Sequence, residues 1–106
     1  MRRCLIPHCG EMDEAQDRQN SDWAAYAKRL GLQLRRARYR LGYSQERVAF
    51  AAGQSRSSYQ QLEKGESMPH TPANPTLKTL IALTQVLDVT LAELLPDDMP
   101  DLTVGR

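Results

Sequence analysis

The chain has 106 residues, 25% of them charged, with Lys and Arg (14) almost balancing Asp and Glu (13). That length holds one small domain plus tails. No apolar run approaches the roughly 18 residues of a membrane span, and Met1-Arg2-Arg3 before Cys4-Leu5-Ile6-Pro7 is too short for a secretory signal. The expectation is therefore a cytoplasmic protein with no membrane partner.

Residues 1–20 are rich in Glu, Asp, Gln, Asn and Arg with little apolar periodicity, which predicts a disordered N-terminal tail. Cys4 and Cys9 flank His8, but a structural zinc site needs four ligands, and His70 stands far along the chain. No metal and no cofactor is expected. The two cysteines read as reduced thiols in an expendable tail, in which Met12 is an alternative start.

Order is expected from about Ser21. Trp23, Tyr26, Leu30 and Leu34 recur at helical spacing, and Ala37 and Leu41 extend the stripe. This first helix packs its stripe on its own core; the other reading has Trp23 and Tyr26 touching a partner subunit. Gly31 inside the stripe weakens the helix by about 1 kcal/mol relative to Ala.

From Ser44 to Gly65 the pattern is two short helices and a tight turn. Ser44 suits an N-cap, Val48, Ala49 and Ala52 face inward, and Gly53 suits a left-handed C-terminal residue. Ser55 caps the next helix, whose hidden face is Tyr59 and Leu62. Its other face is Arg56, Ser57, Gln60, Gln61 and Lys64, with no acid between Ser55 and Gln61. Arg, Ser and Gln hydrogen-bond base edges, and a helix fits the DNA major groove. Charge agrees: residues 31–65 carry seven cations against two carboxylates, a net +5, while residues 66–106 carry two against six, a net −4. A basic half around the reading helix fits a polyanion.

Residues 66–75 hold Pro69, Pro72 and Pro75 without apolar periodicity, which predicts a long loop. Thr76 then caps a fourth helix with Leu77, Leu80, Ile81, Thr84 and Leu87 inward and Leu83 and Val86 widening the stripe, ended by Asp88-Val89. Thr90 caps a short fifth helix with Leu91, Leu94 and Leu95, closed by Pro96. Residues 96–106 form an acidic tail without a readable signal. No paired-carboxylate cleft, phosphate-binding glycine loop or nucleophile–base pair is visible, so no enzyme is expected.

Leu41-Gly42-Tyr43-Ser44-Gln45-Glu46, Val48-Ala49, Ala52-Gly53, Leu62-Glu63-Lys64-Gly65 and the leucines of the last two helices resemble the Cro/C1-type (XRE family) helix-turn-helix repressors over about three fifths of the chain. The resemblance implies an all-α, five-helix lambda-repressor-like domain over residues 21–95, with its helix-turn-helix motif at 45–64. It implies base reading by Arg56, Ser57 and Gln61. Gln45, Ser55 and Lys64 would contact phosphates, and Ser58 and Gln60 complete the DNA-facing set. It also implies an ion pair between Arg38 and Glu63, each of which sits one step off its helix's apolar stripe. The expected partners are double-stranded DNA on the nucleoid and a second copy of the chain on an inverted repeat. The alternative is a protein-interaction module, or an antitoxin that binds a toxin encoded beside it and autoregulates its operon. Two departures stand out. Gln54 occupies a turn position where the family usually has an apolar residue, and the loop after Gly65 is long and lacks Lys or Arg.

Overall fold

The computed structural model describes the backbone of residues 7–68 and 71–103, and side chains from residue 17 onward within those spans. The elements in chain order are α1 (Pro7–Leu41), α2 (Gln45–Ala51), α3 (Arg56–Lys64), a hairpin of β1 (Glu66–Met68) and β2 (Thr71–Pro72), α4 (Leu77–Leu87) and α5 (Leu91–Leu94). Cys4, His70 and the side chains of His8 and Cys9 lie outside the described residues.

Helix starts follow the local chemistry. The hydroxyls of Ser44, Ser55, Thr76 and Thr90 accept from the backbone N–H three residues on, at Arg47, Ser58, Thr79 and Glu93. Each satisfies an orphan donor and contributes about 1 kcal/mol. At α5 the Glu93 carboxylate returns a bond to the Thr90 N–H, closing a capping box. The turn between α2 and α3 passes through Gly53 at φ 74°.

The core lies where the five helices meet. Ala27, Leu30, Leu34 and Ala37 of α1 pack with Val48 and Ala49 of α2, Tyr59 and Leu62 of α3, Leu83 and Leu87 of α4, and Leu94 of α5. Fully burying one such Leu or Val contributes about 2 kcal/mol.

Four expectations need correction. The helix that carries Trp23 and Tyr26 begins at Pro7, not Ser21. Proline is favoured in the first helical turn, and extending an existing helix costs far less than nucleating one. Leu41 is exposed, because α1 ends there and Tyr43 packs against the core instead. On α4 the inward stripe is Leu80, Leu83, Thr84 and Leu87, which turns Leu77 (62% exposed) and Ile81 (43%) outward. The segment after Gly65 is a short antiparallel hairpin with a bulge, pairing Glu66 with Pro72 and Met68 with Thr71. The Ala73 N–H closes it on the Gly65 carbonyl at 2.8 Å, and Ala73 itself is buried.

Gly31 is a packing requirement rather than a weak point. A Cβ there would lie 2.4 Å from the Glu63 carbonyl oxygen and 2.7 Å from that of Leu62. Gly65, at φ 80°, would bring a Cβ within 2.7 Å of Lys28 Cα. Both neighbours are backbone and cannot swing away, so the end of α3 lies against α1 only because these side chains are absent. Helix propensity alone would make Gly31→Ala stabilising. The close approach reverses the sign: the substitution should lower stability by on the order of 2 kcal/mol, or roughly 10 °C in Tm. A Tm equal to or above wild type in a thermal melt would contradict this packing.

Candidate nucleic-acid interface

The nine residues of α3 divide by helical period. Tyr59, Leu62 and Glu63 point inward and are buried. Arg56, Ser57, Gln61 and Lys64 are exposed, and Gln60 is half-buried at the edge. The Ser55 hydroxyl accepts from the Ser58 N–H and donates to the Ser58 hydroxyl at 2.9 Å, so both serines are engaged at the helix start. The outward face thus offers Arg, Ser, Gln and Lys side chains and no carboxylate.

Glu63 is the buried acid that holds this helix. Arg38 Nε donates to its Oε2 at 2.6 Å and Nη2 to its Oε1 at 3.0 Å, a bidentate pair between α1 and α3. The third nitrogen of Arg38, Nη1, donates to the Tyr43 carbonyl at 3.0 Å in the link to α2. Gln45 Nε2, at the first position of α2, donates to Glu63 Oε1 at 2.9 Å. Gln60 Nε2 in turn donates to Gln45 Oε1 at 3.1 Å. Gln60 is therefore bonded to Gln45, and Gln45 to Glu63. Arg35, part exposed, approaches the same carboxylate at 3.8 Å.

Burial alone would raise the pKa of Glu63. The hydrogen bonds from Arg38, with that from Gln45, outweigh it and hold the carboxyl below its ordinary value. The Tyr59 hydroxyl is buried beside the same charge without the geometry of a hydrogen bond, and burial first, then Glu63, pushes its pKa up.

Beside the network, Arg38, Tyr39, Ser44, Gln45, Glu46 and Arg56 line an open cleft of about 460 Å³ between the starts of α2 and α3. Arg47 lies over the Tyr43 ring at 3.9 Å, and Arg38 over Tyr39 at 4.8 Å. The sequence does not disclose these contacts of Arg35, Tyr39, Tyr43 and Arg47. Helical phase shows which residues face inward, but not which arginine of a basic run stacks on which ring. Gln54 ties the turn to α4 through Nε2 to Thr79 Oγ1 at 3.2 Å, while its own Oε1 is buried without a partner.

A family model described as helix-turn-helix matches residues 34–94. The chain belongs to the XRE-type helix-turn-helix family. Its function is DNA-binding transcription regulation. The chain is also similar to the restriction-modification controller protein C.AhdI from Aeromonas hydrophila, solved as a high-resolution crystal structure, at 33% identity and a TM-score of 0.59, over 66% of this chain and 97% of that one. No curated protein matches the chain. Among the described residues, no helix is long and apolar enough to cross a membrane, and no three His, Cys, Asp or Glu residues are grouped to hold a metal ion.

Removing the carboxylate charge tests the network. Glu63→Gln leaves Arg38 without its partner and should cost on the order of 3 kcal/mol, whereas Glu66→Gln, in the hairpin, should cost little. The pH dependence has a definite sign. A lowered folded pKa contributes stability above the ordinary carboxylate value, about 4.3, and that contribution is lost as pH falls through the lowered value. The gap in Tm between wild type and Glu63→Gln should therefore persist at neutral pH and close in acid. Equal melting of Glu63→Gln and Glu66→Gln at pH 7 would rule the network out as a support of the fold.

Proposed function

We propose that the protein is a repressor that binds as a homodimer to an inverted-repeat operator in its own upstream DNA, with α3 in the major groove of each half-site. The carrying observation is the outward stripe of α3, with Arg56, Ser57, Gln61 and Lys64 all exposed beside buried Tyr59, Leu62 and Glu63. Arg56, Ser57 and Gln61 read bases in this arrangement. Lys64 and the Ser55 region contact phosphates. The side-chain amides of Gln45 and Gln60 chiefly set the pose of α3, which leaves base reading to Arg56, Ser57 and Gln61. The likeness to a restriction-modification controller supports control of a neighbouring gene set.

A guanidinium that bonds guanine bidentately discriminates by about 1–3 kcal/mol. Arg56→Ala should thus weaken binding to the upstream DNA by about ten-fold or more, while weak, salt-sensitive binding to unrelated duplex remains. Unchanged affinity in a gel-shift titration would remove Arg56 from the reading set.

One short helix covers too little DNA for tight binding, so two copies about 34 Å apart are expected on one face of the duplex. Light scattering with and without the upstream DNA measures this directly. A monomer that protects a single half-site would overturn the dimer.

A further inference from the structure

Two described stretches lie outside the segment matched by the family model, residues 17–33 of α1 and residues 95–103. They pack on one another. Tyr26 Oη donates to the Pro96 carbonyl at 3.0 Å in a buried bond. Arg29 Nη2 donates to the Asp98 carbonyl at 2.8 Å. Gln19 Nε2 donates to the Leu102 carbonyl. Trp23 stacks on Tyr26 with ring centroids 5.8 Å apart, and the Arg29 guanidinium lies 5.3 Å from the Tyr26 ring. Pro96 is buried, whereas Asp97, Asp98, Met99 and Leu102 are exposed. The acceptors of these three bonds are main-chain carbonyls, so α1 grips the backbone of the tail.

Residues 17–22 and the tail each carry little that would hold their form alone. Residues 17–22 read Asp-Arg-Gln-Asn-Ser-Asp, without one apolar side chain, and Asp17, Asn20, Ser21 and Asp22 are weak helix formers. A helical stretch that is polar on every side needs outside support. Residues 96–103 carry Pro96 and Pro100 and form no helix or strand. Each stretch supplies what the other lacks. The tail gives carbonyl acceptors and the buried Pro96, and α1 gives the donors.

We propose that residues 96–102 are a strap that keeps α1 helical upstream of Tyr26, and that releasing the strap unwinds this part of α1 while the helix-turn-helix stays folded. The strap donors Gln19, Tyr26 and Arg29 all lie at least nine residues before Arg38 on α1, about 13 Å or more along the helix, so the release does not pass through the Glu63 network. The chain thereby carries a two-state element beside its DNA-binding domain, and the tail sets its state.

The test is amide hydrogen exchange on the full chain, with fluorescence of Trp23, the single tryptophan. The variants are Gln19→Ala/Tyr26→Phe/Arg29→Ala, which removes all three donors, and Arg29→Ala alone, at an exposed site. In wild type the amides of residues 20–25 should be protected. In the triple variant they should exchange about ten-fold faster or more, with red-shifted Trp23 emission, while amides 59–64 of α3 stay within about two-fold. Arg29→Ala should show the same local pattern at smaller amplitude. Three results would each overturn the proposal: no protection of residues 20–25 in wild type, no acceleration there in the variants, or equal acceleration in α3 for Arg29→Ala.

Discussion

A carboxylate cannot sit buried without partners, and in this protein that constraint organises the DNA-binding half. Glu63 belongs to α3, but what satisfies it comes from elsewhere: two bonds from Arg38 on α1 and one from Gln45 on α2. Arg38 also holds the Tyr43 carbonyl, and Gln45 accepts from Gln60. One charge therefore ties three helices and a turn together. Burial penalises the ionised acid, while the hydrogen bonds favour it by more, so the net direction is a stabilised carboxylate. A lysine at position 38 would supply a point charge, without the planar fork that reaches Glu63 and Tyr43 at once.

Steric contact completes what the charge begins. With no Cβ at Gly31 and Gly65, the last turn of α3 rests on the backbone of α1, and the buried Ala73 fastens the hairpin at the same junction. The pose of α3 is thus set from both ends: by the two glycines at its C-terminus, and by the cap at Ser55 and the Gln45–Gln60 bond toward its N-terminus. The role proposed for α3 needs such rigidity, because bidentate contacts to bases tolerate little displacement. The positive balance of residues 31–65 suits a polyanion at that face, as the proposed function requires, and the acidic balance of residues 66–106 is carried by other elements.

Much of this architecture is legible in the residues. Ser44, Ser55, Thr76 and Thr90 mark helix starts because a short side-chain oxygen before an apolar period has few other uses. Tyr59 and Leu62 disclose the hidden face of α3 by their spacing, and hence its exposed one. What stays illegible follows from distance along the chain or from small size. Gly31 reads as a propensity cost, since its close neighbour, the Glu63 carbonyl, is 32 residues away in sequence. Leu77 and Ile81 share the apolar character of Leu80 and Leu83, and only the packing of α4 decides which of them face solvent. The hairpin has strands too short, and too rich in proline, to show an alternating pattern. The side chain of Gln45 reads as free to meet a phosphate, and only the fold reveals Glu63 and Gln60 beside it.

The central claim is that Arg38 and Glu63 support α3 through one another, and a double-mutant cycle tests it most directly. Arg38→Met, Glu63→Met and the double variant would be unfolded in urea at pH 7 beside wild type. Each single substitution leaves one buried charge unpaired, and should cost on the order of 3 kcal/mol. The double variant leaves neither, so its loss should fall well below the sum of the two. Additive losses, with no coupling energy between positions 38 and 63, would show that the two residues act independently and that the pair does not hold α3.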